Sequence, residues 1–161
     1  MSNLTIASGL TGLTLGKSGN NADITIGSAT SIAGPIDVFA GILNVNAGLT
    51  TTNTTTGNVT FNAATLNGSG NIALASGRAL SVTQSGNSTY SGIVSGTGST
   101  LTKLGAGTLT LTGANSYTGA TTISAGALQV GDGGATGALG SGAVTNNAAL
   151  SFNRSNDLTV S

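Results

Sequence analysis

The sequence predicts an all-β fold, a parallel β-solenoid of about seven rungs. The main observation is a short strand that recurs along all 161 residues, in which two apolar residues flank one small polar residue. The flanking residues of each triplet point to one face of a strand, and the middle residue points to the other. The triplets begin at Leu13, Ile24, Leu43, Val59, Leu80, Leu109, Leu128, Leu150 and Leu158. A unit repeated with so little between its copies is typical of stacked coils.

The segments between the triplets support the same fold. No apolar period of 3.6 residues occurs, and the breaks are rich in Gly, Ser, Thr and Asn, which favour sharp turns. We expect strands of three to five residues and rungs of roughly 20–25 residues with three strands each. At about 4.8 Å per rung, the rod would be about 35 Å long. An antiparallel sandwich is the alternative, but its strands are typically about 5–6 residues long and joined by tight hairpins.

Individual segments fit into this scheme. Thr50 to Gly57 is the longest stretch without an apolar residue, and we expect an exposed loop or one polar rung face. Pro35, the only proline, is expected to start a strand. Inward asparagines could stack as amide ladders at the corners. The residues with suitable positions are Asn44, Asn46, Asn62, Asn115 and Asn147.

The composition excludes several partner classes. Charged residues make up 5% of the chain, against roughly 25% in ordinary soluble domains. The net charge is zero, so no electrostatic footprint for nucleic acid or for an anionic membrane exists. No apolar run approaches the ~20 residues of a membrane helix, so we expect no membrane insertion by this segment. A disordered chain would lack the regularly placed apolar pairs that this sequence carries throughout.

The residue types for catalysis and metal binding are scarce. The chain has no His, Cys or Glu, so zinc and haem lack their usual ligands. Asp23 and Asp37 could face each other on adjacent rungs, as in a carbohydrate-cleaving β-helix, but turn positions explain both better. The glycine-rich stretch around Asp132 occurs once, whereas calcium-binding repeats occur in tandem. We therefore predict no enzyme and no catalytic, cofactor-binding or metal-binding residue.

Four other side chains have structural interpretations. Lys103 and Arg78 are expected to be solvated charges at the rung edges, where they oppose aggregation. Tyr90 and Tyr117 are expected to be half-buried at rung edges, with their hydroxyl groups in water.

The segment 98–131 resembles the autotransporter-associated β-strand repeat. Residues 101–131 read LTKLGAGTLTLTGANSYTGATTISAGALQVG, and the repeat follows L-x-K-x-G-x-G-x-L-x-L-x-G-x-N-x-Y-x-G-x-T-x-I/V-x-x-G-x-L-x-V. At Ser99 and Thr100, before Leu101, the chain has one residue more than the usual form of the repeat. This extra residue predicts a β-bulge where the rung begins. Residues 1–85 resemble, more loosely, repeats of filamentous-haemagglutinin-like exoproteins.

The resemblance implies a right-handed parallel β-helix from the passenger of a bacterial type V secreted surface protein. We expect residues 1–161 to form a single solenoid domain, a segment of a longer passenger, because no export signal or barrel-type strands are visible. The expected function is a non-catalytic stalk at the cell surface or outside the cell. A binding module for a glycan, a host protein or ice is the alternative. Exposed terminal rungs could also associate end to end.

Overall fold

The computed structural model describes residues 9–157, and in this range the chain forms sixteen strands and no helix. Accordingly, the described range holds no helix long and apolar enough to cross a membrane. The strands are β1 (Leu13–Leu15), β2 (Ile24–Ile26), β3 (Thr30–Ile32), β4 (Ile36–Val45), β5 (Leu49–Thr51), β6 (Val59–Asn67), β7 (Ile72–Ala73), β8 (Ala79–Gln84), β9 (Ser88–Tyr90), β10 (Val94–Ser95), β11 (Thr100–Leu104), β12 (Thr108–Leu111), β13 (Thr121–Ile123), β14 (Ala127–Val130), β15 (Val144–Asn146) and β16 (Ala149–Phe152).

The strands stack as a parallel β-solenoid of about seven coils, which confirms the predicted fold class. Every pairing between these strands is parallel, and each joins one coil to the next. One position of the coil can be followed through the whole stack, because each residue there is the register partner of the one in the next coil. The sequence separation between these residues gives coil lengths of 20–23 residues. The residues at this position are Leu13, Ile36, Val59, Leu80, Leu101, Thr121 and Val144.

The coils build three faces. The first face is an eight-stranded sheet in the order β1, β4, β6, β8, β11, β13 and β15, with β2 also pairing with β4. The second face contains β3, β5, β7 and β10, and the third contains β9, β12, β14 and β16. Because neighbouring coils supply each other's backbone partners, a single coil would leave its hydrogen-bonding groups unmet.

The core is a set of apolar columns that run between the faces. The outer residues of the predicted triplets point inward, as at Leu80 and Val82 in β8, while the middle residue Ser81 points outward. Phe61 stacks between Val38 and Val82 in the same way. The columns thin out at the seventh coil, where Val144 and Phe152 are each 43% exposed. The triplet at Leu158 lies outside the described residues.

The predicted strand length is wrong for the longest strands. β4 has 10 residues, β6 has 9 and β8 has 6. β4 pairs with β1 through Ile36 and with β2 through Leu43, so one strand crosses the bend between the first and third faces. Ala40 and Gly41 let the extended chain bend there. In the fifth coil Gly105, at φ +75°, ends β11 at the same place.

Two local expectations are settled by the register. Thr50 to Gly57 is mostly an exposed turn, as predicted, although Thr51 is buried in β5 and its hydroxyl accepts a hydrogen bond from the Ala75 N–H. The predicted bulge near Ser99 is wrong, because β11 pairs with β8 without interruption from Thr100 to Leu104. The preceding turn absorbs the extra residue, where the buried Ser99 hydroxyl donates to the Ala75 carbonyl.

Glycines mark the closest approaches between coils. A Cβ on Gly107 would overlap the carbonyl oxygen of Gly86, and one on Gly113 would overlap that of Gly92. Each clash is with backbone of the preceding coil, which cannot shift without disturbing the ladder. The glycine spacing in residues 101–131 therefore reflects contact between coils.

Candidate functional site

The two aspartates considered for glycoside cleavage do not form a pair. The Asp23 carboxylate accepts a hydrogen bond from the Ile42 N–H at 2.9 Å, just before β2. Asp37 lies in β4 between the register partners Thr14 and Thr60, on the outward side. Asp37 lies before the bend at Ala40 and Gly41, whereas Asp23 is bonded to Ile42 beyond it, so the two carboxylates belong to different faces. The predicted turn position is wrong for Asp37, which lies inside a strand.

The glycine-rich stretch at Asp132 is a loop held by the following coil. Arg154 donates to the carbonyls of Gly137 at 2.5 Å and Ala135 at 3.1 Å. Asp132 itself is exposed, and within residues 9–157 its carboxylate accepts a single long hydrogen bond, of 3.4 Å, from the Gly134 N–H. No cluster of three or more potential metal-binding side chains occurs within residues 9–157.

Lys103 lies in the core, so the predicted solvated edge charge is wrong. Its side chain is fully buried, between the register partners Val82 and Ile123. The ammonium group donates to the carbonyl of Leu104 at 2.7 Å and to that of Gly105 at 2.9 Å. Burial lowers the pKa of Lys103 from its ordinary value, because desolvation disfavours the charged form.

A change in coil length explains why a cation is placed there. The ladder between β11 and β13 ends at the pair Lys103 and Ile123. From Lys103 to Thr108 the chain takes five residue steps, whereas it takes four between their register partners, Ile123 and Ala127. The carbonyls of Leu104 and Gly105 therefore lie beyond the last ladder pair. The Lys103 ammonium supplies the hydrogen bonds that those two carbonyls lack.

Arg78 is also less solvated than predicted. Its guanidinium donates to the Thr55 carbonyl at 2.6 Å, and its Nε atom is buried without a hydrogen-bond partner among residues 9–157. The side chain ties two turns of neighbouring coils together.

Both tyrosines are buried, so their predicted exposure to water is wrong. The Tyr90 hydroxyl donates to the Gly70 carbonyl one coil away. The Tyr117 hydroxyl lies 2.6 Å from the Thr121 hydroxyl, and both side chains are fully buried. Burial raises the pKa of each tyrosine above its ordinary value. Thr121 lies between Leu101 and Val144 in a column whose other members are aliphatic. Its hydrogen bond with the Tyr117 hydroxyl satisfies the buried threonine hydroxyl.

Asparagine side chains form hydrogen bonds that join adjacent coils, and we call these contacts clamps. Of these asparagines, only Asn115 was among those predicted to form amide ladders. The buried Asn115 accepts from the Val94 N–H at 2.7 Å and donates to the Ala138 carbonyl at 2.8 Å, so it bridges three coils. Three further asparagines each accept a backbone N–H from the next coil. They are Asn58, Asn71 and Asn87, bonded to Ala79, Ile93 and Thr108.

The sequence contains a pattern that identifies these asparagines. The prediction of amide ladders did not rely on that pattern. Each of the three asparagines directly precedes a strand, and each bonds to a residue 21 or 22 positions later. The other predicted positions do not form amide ladders within the described range. Asn46 and Asn147 are exposed, and Asn44 pairs in register with Asn67, whose amide donates to Thr65 instead.

The first face carries one outward column of hydroxyl groups. It runs through Thr60, Ser81, Thr102, Thr122 and Thr145, with Asp37 before it. The neighbouring column holds Phe39, Asn62, Thr83 and Leu104. The face thus lacks the paired threonine columns of a regular ice-binding array.

The geometry defines a repeat protein whose characteristic polar residues serve the contacts between coils. Residues 101–130 match the family model described as Passenger-associated-transport-repeat. This match supports the predicted resemblance of the segment to an autotransporter passenger repeat, and it implies a secreted or cell-surface protein. Comparisons with curated proteins and with solved structures gave no significant match. The looser resemblance of residues 1–85 to haemagglutinin-like exoproteins stays a prediction.

The buried lysine should make stability depend on pH. Because the folded-state pKa of Lys103 lies below the ordinary 10.5, the unfolded chain binds more protons between the two values. The free energy of unfolding should therefore rise as the pH increases towards 10.5. Urea unfolding at increasing pH below 10.5 should show a steeper rise in the native chain than in Lys103→Met. The exposed Lys17→Met is the matched control and should keep it, whereas equal slopes in all three chains would contradict the assignment.

The Tyr117 and Thr121 hydroxyls should be energetically coupled. Tyr117→Phe and Thr121→Val should each destabilise the fold by about 1–3 kcal/mol, since each removes one partner of a buried hydrogen bond between two hydroxyl groups. The double variant should lose less than the sum of the single losses, by about 0.5–3 kcal/mol. Denaturant unfolding measures the cycle, with Thr122→Val on the outward side as the control. Strict additivity would show that the two hydroxyls do not interact.

Proposed function

We propose that this chain is a non-catalytic stalk segment of an autotransporter passenger. The observation that carries the proposal is the uninterrupted stack of seven coils, which includes the segment matched by the passenger repeat. The repeat's lysine, asparagine and tyrosine (Lys103, Asn115 and Tyr117) are buried and bonded between coils or within them. Such residues stabilise the stacking of coils, which gives a stalk its length and stiffness. They present no reacting group to a substrate.

The same stack suits a chain that folds as it emerges from a membrane pore. Each folded coil presents backbone hydrogen-bonding groups and an apolar surface to the next coil, so folding can proceed coil by coil. In this proposal the segment 101–130 is a favourable place for that growth, because Asn115 bonds to the coils on both sides of its own. The description of the matching family, which refers to passenger transport, supports this interpretation.

We further propose that the chain acts at the cell surface or outside the cell, without nucleic acid or membrane insertion. The even balance of four basic and four acidic residues supports this view. End-to-end association through the terminal coils is also a proposal. The partial exposure of Val144 and Phe152 on the seventh coil supports it, since the side chains of an additional coil would cover them.

Removal of one whole coil should shorten the stalk and leave it folded. Deletion of residues 59–79 joins Asn58 to Leu80, the register partner of Val59, so the apolar columns stay aligned. We expect the β-sheet signal in circular dichroism to persist and the rod to lose about 4.8 Å of length by small-angle scattering. With a signal peptide, an N-terminal epitope and a translocator barrel attached, the shortened chain should still be displayed on intact cells.

Deletion of residues 59–69 is the matched control. It removes about half a coil and places strands of different faces on top of each other, so folding and surface display should both fail. If the whole-coil deletion also unfolded the chain, the stalk proposal would be contradicted. If both shortened chains unfolded but were still displayed, the role of coil stacking in transport would be contradicted.

A further inference from the structure

An open groove with a volume of about 320 Å³ runs along the outside of the bend between the first and third faces. It is lined by residues of five successive coils, from Asn21 in the first to Ala106 in the fifth. Four steps of about 4.8 Å give it a length of about 19 Å, parallel to the axis of the solenoid. The long strands β4 and β6 build its central part, because they cross the bend without a turn.

The lining combines a small apolar floor with neutral polar groups. Ala40, Ala63 and Gly105 leave the floor free of large side chains. Asn62, Thr83 and Ser85 contribute amide and hydroxyl groups, and no hydrogen bond joins these side chains to another group within residues 9–157. They are therefore available to a ligand that both donates and accepts hydrogen bonds.

The groove excludes several ligand classes. It contains no charged side chain, so an acidic glycan, a phosphate or a nucleic acid would find no countercharge. An extended peptide usually adds to a free sheet edge. In this groove the backbone of Asn62 is already paired with Phe39 on one side and Thr83 on the other, so no edge is free.

We propose that this groove binds a neutral, extended oligosaccharide. A sugar ring has apolar C–H faces that can lie on the alanine floor, and hydroxyl groups that both donate and accept hydrogen bonds with Asn62, Thr83 and Ser85. Phe39 lies on the outward side of β4, next to Asn62 in the register, so it adds an apolar side chain beside the groove. The groove crosses five coils, which suits an extended ligand better than a single sugar ring.

The test uses the full chain and three neutral probes, cellohexaose, maltohexaose and chitohexaose, with a galacturonic acid hexamer as the charged probe. We expect at least one neutral hexasaccharide at millimolar concentration to shift the NMR signal of the Asn62 side-chain amide. Asn62→Ala, titrated through the backbone amide signal of Ser85, should weaken that binding at least about fivefold, the equivalent of one hydrogen bond of about 1 kcal/mol. Ala64→Trp, at an exposed position of the lining, should abolish it by filling the groove.

Thr89→Trp provides the matched control, because it places the same bulk on the exposed third face and should leave binding unchanged. The proposal is overturned if none of the three neutral probes shifts the amide, or if Ala64→Trp binds as well as the native chain. Equal or tighter binding of the galacturonic acid hexamer would overturn the assignment to neutral glycans. Circular dichroism of each variant checks that its β-sheet content is unchanged, so that a loss of binding is not caused by unfolding.

Discussion

The structure depends on the parallel pairing of each coil with the coil before it. Short strands cannot form a stable unit alone, because their backbone groups and apolar side chains need partners on neighbouring coils. A constant register supplies both at once, since a residue whose backbone is paired also stacks in its column. The columns through Val38, Phe61 and Val82 show how regular this packing is. Turns can vary in length as long as the next strand returns to the same register.

The polar residues of the passenger repeat serve this stacking from the inside. Lys103 and Asn115 bond to carbonyls that the ladders leave free, and Tyr117 pairs with a threonine that interrupts an aliphatic column. A buried ammonium is costly, and it persists only where hydrogen bonds compensate for lost hydration. Lys103 is thus an adaptation to the shorter corner in the next coil. We infer that such residues fix the register where a purely apolar core would allow slippage.

Much of the fold could be predicted from the sequence, because inward triplets and turn residues act locally. The triplets at Leu80 and Leu109 predicted their strands, the burial of their outer residues and the parallel stack, although the middle residue Thr110 is buried as well. The length of β4 could not be predicted, because small residues at a bend permit both a turn and a continuous strand. The position of Lys103 depends on which carbonyls the ladder leaves unpaired. That in turn depends on the difference in length between two adjacent coils, which no local pattern reports.

The candidate sites were less predictable than the fold. The separation of Asp23 from Asp37, and the groove beside Asn62, both depend on how the coils are aligned. The asparagine clamps were the exception, since their position before a strand is visible in the sequence. Composition alone predicted the neutrality of the surface, because the chain has only eight charged residues, four of each sign.

Disulfide trapping tests the central claim most directly, because the chain has no native cysteine. Ser81→Cys with Thr102→Cys places two thiols on register partners of adjacent coils, where Cα atoms about 4.8 Å apart suit a disulfide. Ser81→Cys with Leu104→Cys shifts the pairing by two residues on the same face, to a Cα separation of about 8 Å. The stacked coils predict rapid crosslinking of the first pair and little of the second under mild oxidation. Equal crosslinking of the two pairs, or faster crosslinking of the second, would contradict the parallel register.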